Sequence, residues 1–255
     1  MSNFGSVVAA FALLFLAILG TQSVAQPQQP EAAEATAPVE AEPPKLPAPN
    51  GAKAMPAPHR VWIDPREKQV FVDGYVSLDE GLLEMFACTM GTKEHESVIA
   101  VYSSAKMVHT ALLAVGAIPG HPVRWDPTYQ PPAGMEIDIE IRWLDDRGKW
   151  KSTAAQQWLR DVDTKQVLQH PWVFAGSGFW TDEETGKQYY LAEEGSLICV
   201  SNFSSATLDI PVESSQANEG LLFEANKDTV PAIGTPVRLV LTPKPKKNAP
   251  PYRAE

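Results

Sequence analysis

Cysteine is scarce in this chain: only Cys88 and Cys199 occur in 255 residues. Two thiols cannot ligate an iron–sulfur cluster or a four-thiolate zinc site within one chain. Nor is there a C-x-x-C spacing to support thioredoxin-like exchange. Positive charge is also short. Against 31 Asp and Glu there are 21 Lys and Arg, a net charge of −10. Such a chain has nothing to release the counterions of a phosphate backbone, which argues against a nucleic-acid partner. H-E-x-x-H and G-x-S-x-G are missing, so neither a zincin helix nor a nucleophile elbow is legible. What is present is ordinary for a folded domain: 20% charged and 44% hydrophobic residues, with seven Trp.

Val7–Leu19 is an apolar run too short to span a bilayer comfortably, and it suits the core of a signal peptide. Ser23-Val24-Ala25 offers small residues for cleavage before Gln26, although no Lys or Arg precedes the run. Residues 1–25 are therefore expected to direct export to the periplasm, envelope or exterior, leaving no membrane span in the mature chain. An uncleaved anchor is the alternative. Residues 26–58 are dominated by Pro, Ala and Glu and have no aromatic residue. They bury too little apolar surface to offset ordering entropy, so a semi-stiff disordered tether is expected. Residues 243–255 read as a second disordered end.

Residues 59–242 are read as one domain, large enough to sustain a full core. Its dominant period is two. In Met135–Trp143, Ile137, Ile139 and Ile141 alternate with Glu136, Asp138 and Glu140, as in a half-buried strand. Asp145–Gly148 closes a hairpin after it. Other strands are expected at Val61–Asp64, Gln69–Leu78, Leu82–Cys88, Ser97–Ser103, Val123–Asp126, Trp172–Trp180, Lys187–Ala192, Leu197–Phe203 and Val237–Thr242, with Thr181–Gly186 as a polar hairpin loop. One segment departs from this period. Ser104 is placed to cap a helix through Val115, with Val108, Ala111, Leu112 and Val115 on one face and Gly116 as its stop. The expected fold is a β-rich α+β domain, antiparallel sheet with one main helix packed on it.

Four separated motifs carry a resemblance. Cys88-Thr-Met-Gly-Thr-Lys-Glu-His-Glu-Ser97 with Val98-Ile-Ala-Val, the helix Val108–Gly116, Trp172–Gly178 and Leu197–Phe203 are together similar to the YdjY-domain family. The resemblance covers most of Arg60–Leu241. It implies a bacterial protein, often exported behind a Pro-rich leader, and it brings no established activity. Some relatives are labelled ferredoxin-like because they carry a cysteine-rich cluster segment. This chain has no such run, so electron transfer and its cofactor are not carried over.

Several residues could carry chemistry. In an oxidising compartment the pair Cys88 and Cys199 suggests a disulfide closing a loop of about 110 residues, worth on the order of 4–5 kcal/mol in the entropy model. Two buried thiols, or a redox or metal role, are the other readings. Glu94-His95-Glu96 is the most suggestive polar trio. Neighbours cannot converge on one metal in regular structure: on a strand the two glutamates lie roughly 7 Å apart with His95 opposite. A metal or hydrolytic site there would need His109, His121 or Asp126; a charged turn leading into the next strand is the simpler reading. His109, beside the helix's buried face, reads by itself as a core-edge histidine. Gly176 and Gly178 clear a patch of strand for a neighbour or a ligand. Trp180, Tyr189 and Tyr190 are candidates for a stacking platform for sugar or peptide, with core burial as the default. Asn202-Phe203-Ser204 fits a glycosylation sequon. The expected function is an exported, non-enzymatic binding or envelope-associated module, with no cofactor or resident metal and an unidentified ligand or envelope protein as partner. The alternative is a metal-binding or hydrolytic site on Glu94, His95, Glu96 and His109.

Overall fold

The structure is a computed structural model describing residues 45–214 and 220–244. The expected leader, residues 26–44 of the tether and the end beyond residue 244 lie outside the described residues. The chain runs through β1 (Lys53–Ala54), β2 (Val61–Asp64), β3 (Gln69–Val76), β4 (Met85–Thr89), β5 (Ser97–Val101) and helix α1 (Ala105–Ala114). It continues through β6 (Pro119–His121), β7 (Ala133–Gly134), β8 (Glu136–Leu144), β9 (Trp150–Ala154), β10 (Leu159–Asp161) and β11 (Trp172–Phe174). Last come β12 (Phe179–Thr181), β13 (Gln188–Tyr190), β14 (Ile198–Cys199), β15 (Leu208–Asp209), β16 (Phe223–Ala225) and β17 (Pro236–Lys244). Residues 45–58 were expected in the tether, yet they include β1, which pairs with β2.

The β-rich character and, among the described residues, the single α-helix agree with expectation; the sheet itself is more elaborate. Strands β3, β17, β8, β11, β15, β14, β4 and β5 pair in that order, and β5 pairs back to β3, closing an eight-stranded barrel. Two of its pairings, β4–β5 and β14–β15, are parallel, so the expected antiparallel sheet is in fact mixed. Closure turns on β3, whose one edge is divided between β2 at Gln69–Val72 and β5 at Gly74–Val76. At the handover a side chain on residue 74 would run into the Ala100 carbonyl, which requires glycine. Strand β8 divides an edge in the same way, between β11 at Glu136 and Ile137 and β9 from Glu140 to Leu144. Beyond the ring, β1, β2, β3, β17, β8 and β9 therefore continue as an antiparallel flap.

Periodicity explains the interior. Ile137, Ile139 and Ile141 of β8 face inward with Val237, Leu239 and Leu241 of β17, all buried. Burying each such side chain is worth about 1.5–3 kcal/mol. On the other face of the same ladder Arg238 makes a two-pronged pair with Asp73, Nε to Oδ1 at 2.6 Å and Nη2 to Oδ2 at 2.9 Å, and both side chains are 4% exposed. Helix α1 packs against β2 and β3. The Ser104 hydroxyl accepts from the Met107 N–H at 3.3 Å, Val108, Ala111 and Leu112 are buried, and Gly116 turns left-handed at φ 88°.

Three sequence expectations are corrected. Trp172–Trp180 is two strands, because Gly176 and Ser177 take φ of 90° and 56° and break the extended run between β11 and β12. Val123–Asp126 is reduced to a lone bridge between Arg124 and Gln130. The disulfide is absent: Cys88 and Cys199 are both free and buried. Register explains why. Cys199 pairs opposite Met85, and its Sγ lies 3.4 Å from the Met85 sulfur. Cys88, three residues along β4, has the opposite parity and points to the other face. Among the described residues no helix is long and apolar enough to cross a membrane.

Candidate functional site

Glu94, His95 and Glu96 form a single 3-10 turn before β5. Their side chains diverge. Glu94 accepts from the Gly91 N–H, Glu96 sits 3.5 Å from the Lys93 ammonium, and His95 stands in solvent 3.7 Å from Glu96. Lys93 also pairs with Glu84 at 3.1 Å, so this is a charged surface network. His109 has other company: Tyr190, Phe174 and the Gly176 backbone. Among the described residues no three His, Cys, Asp or Glu side chains are disposed to hold a metal ion. His121 uses its Nδ1 on the Pro122 carbonyl.

The histidine that matters to the architecture is His109. Its Nδ1 lies 2.8 Å from the Tyr190 hydroxyl, which also contacts the Thr207 hydroxyl at 3.0 Å and the Gly176 carbonyl at 3.3 Å. The imidazole packs edge-on against Phe174 and Tyr190, with ring centroids 4.9 and 5.4 Å away. Burial pushes the His109 pKa down, with the Gly176 carbonyl pulling the other way. Burial also pushes the Tyr190 phenol up to about 12. The phenol thus keeps its proton and the imidazole stays neutral. Ser177, whose φ is 56°, donates its hydroxyl to the Ser205 carbonyl at 2.6 Å. None of these groups is an activated nucleophile; the network binds helix to hairpin.

That hairpin is β12–β13, which among the described residues pairs only with itself. Its turn is self-contained: the Asp182 carboxylate accepts from the Glu184 and Thr185 N–H groups at 2.9 and 3.0 Å, and Gly186 is left-handed. Register places Trp180 opposite Tyr189 and Phe179 opposite Tyr190. Adjacent residues on a strand face opposite ways. The expected three-member platform therefore separates. Trp180 and Tyr189 lie side by side in solvent, 54% and 41% exposed with centroids 5.5 Å apart, while Tyr190 is buried and bonded to His109. Phe179 and Leu191, which were not among the platform candidates, add exposed apolar surface. Counting outward from the Thr181–Gly186 loop would have found Phe179, since the turn fixes which residues pair.

Two more anchors tie the hairpin down. The Glu193 carboxylate accepts from the Ala105 and Lys106 N–H groups at 3.3 and 2.9 Å, capping α1 from outside. The glycine patch is filled: a Cβ on Gly176 would meet Pro119 at 2.8 Å, and one on Gly178 would meet Leu191 at 3.3 Å. The sequon is sealed as well. Asn202 is fully buried, giving Nδ2 bonds to Asp209 at 3.3 Å and the Ile210 carbonyl at 3.1 Å. Burial lifts the Asp209 carboxyl to about 8 despite backbone donors at Ile210 and Phe203.

The family model of the YdjY domain matches residues 61–242, which spans the helix, the β12–β13 hairpin and nearly all of the barrel. The chain belongs to the YdjY-domain family. No curated protein and no solved structure matches it. Away from the hairpin, a groove of about 700 Å3 lies on the outer face of the flap, walled by Pro47, Phe71, Arg142, Trp150, Lys151 and Arg238. Its cations are already engaged by Glu140, Asp145 and Asp73.

Proposed function

We propose that this YdjY domain is an exported, non-catalytic binding module whose recognition element is the β12–β13 hairpin. One observation carries this reading: a self-paired hairpin holds two neighbouring aromatic rings, Trp180 and Tyr189, out in water while a buried network fixes its root. Exposing so much aromatic surface is costly unless something covers it. Rings held with few free torsions lose little entropy on contact, so they suit recognition. Export rests on the apolar run Val7–Leu19 and the small residues before Gln26.

Hydrogen exchange on the full chain against a panel of soluble oligosaccharides and peptides tests recognition. Binding protection is expected over residues 179–191. The double variant Trp180→Ala/Tyr189→Ala should abolish it while shifting folding stability by no more than about 0.5 kcal/mol per site, as for exposed positions. Ligand protection elsewhere, with the hairpin silent, would overturn the assignment. Hydrolysis of an ester, peptide or phosphodiester probe that disappears in His109→Ala would overturn the non-catalytic part. Cell fractionation tests export: the recovered protein should begin at Gln26, outside the cytoplasm.

A further inference from the structure

The hairpin's surroundings point to the chemistry of its partner, and this step rests on the hairpin being the recognition element. Residues 179–194 carry Asp182, Glu183, Glu184, Glu193 and Glu194 against Lys187 alone, five acids to one base, a net −4. Among the described residues none of the five carboxylates has a cationic partner. Asp182 is spent on its turn, Glu193 on the helix N-terminus, and Glu194 on the Ser196 and Ser205 hydroxyls. Glu183 and Glu184 are exposed in the turn that joins the two ring-bearing strands. The Lys187 ammonium lies 4.6 Å from the Tyr189 ring centroid, so the platform already seats a cation on its face.

We infer that the hairpin docks a cationic segment of a partner protein, its Arg or Lys side chains stacking on Trp180 and Tyr189 within the acidic fringe. Arginine suits this best, because a planar guanidinium stacks on a ring while donating to carboxylates at its edge. The fringe supplies steering and selection, and the rings supply contact area. The flap groove differs in being charge-balanced: Asp64, Glu67 and Glu140 line it against Arg142, Lys151 and Arg238.

The test uses the full chain and three probes: an Arg/Gly dodecapeptide, its Glu/Gly counterpart and cellohexaose. The Arg peptide should bind and the Glu peptide should not. Raising salt from about 50 to 300 mM should weaken binding roughly tenfold, since exposed charges are screened. Trp180→Ala/Tyr189→Ala should weaken it by about tenfold or more, the scale of two lost ring contacts. Glu183→Gln/Glu184→Gln should weaken it severalfold and flatten the salt dependence without touching the rings. Equal binding of the two peptides, or none of either, overturns the inference. Cellohexaose binding that is lost in the ring variant, with the Arg peptide inert, overturns the cationic partner and leaves the hairpin as recognition element. Binding of any probe that ignores the ring variant overturns both.

Discussion

The β8–β9 and β12–β13 hairpins turn on nearly the same chemistry and meet different fates. In each, an aspartate accepts backbone N–H bonds from its own turn, Asp145 from Arg147 and Lys149, Asp182 from Glu184 and Thr185. In each a left-handed glycine completes the reversal, Gly148 at φ 69° and Gly186 at φ 67°. Strand β8 then runs on into the barrel, zipped to β17 from Glu136 to Trp143. Strands β12 and β13 pair with each other and stop. Local sequence writes the hairpin; the neighbours available to its flanks decide whether it becomes wall or probe. Built into the wall, it owes its stability to a ladder and a core. Left outside, it depends on a few side-chain bonds at its root.

The sharpest way to break this comparison is to strike the wall. Arg238→Ala strands the Asp73 carboxylate between β3 and β17, and removing one partner of a buried pair costs about 3–5 kcal/mol. Urea denaturation should show that loss across the whole transition. A change under about 1 kcal/mol would mean that the wall is no more tightly held than the hairpin. The matching blow at the hairpin's root is smaller. Tyr190→Phe leaves His109 Nδ1 and the Thr207 hydroxyl short of a partner, at about 1–3 kcal/mol. Its signature is local: amide exchange should quicken over residues 179–194 and hardly change in β3, β8 and β17.

The smallest effect is a pH slope. The folded pKa of His109 lies below the ordinary 6.5, so the fold prefers the neutral ring. That contribution is complete above pH 6.5 and is lost as pH falls through 6.5 towards the depressed folded value. Protection of the hairpin amides, taken relative to their intrinsic exchange at each pH, should therefore fall on mild acidification, and His109→Gln should remove that dependence. An unchanged slope in the variant would assign it to another group.

Much of the barrel was legible in the chain, and its closure was not. Met135–Trp143 announced β8 through strict alternation, and Ser104 with Gly116 announced α1. Closure depends on β3 trading β2 for β5 at Gly74, whose partner Val101 is 27 residues away, a pairing that no local period records. The cysteine pair failed for a similar reason. Composition can propose a bridge, but only register tells that Cys199 meets Met85. At the candidate site, the exposed pair Trp180 and Tyr189 was legible as residue types. Tyr190 was misplaced because adjacent positions on a strand face opposite ways. The partnership of His109 with Tyr190 spans 81 residues and leaves no trace in spacing.

Strand β1 meets β2 through only two residue pairs, whereas β2 meets β3 through four and β3 meets β17 through six. Tension drawn along the chain from the side of residue 45 thus reaches the shortest of these three ladders first. Peeling β1 away would lengthen the connection by a few residues and spare the ring, so the fold carries a mechanical fuse where its polypeptide enters.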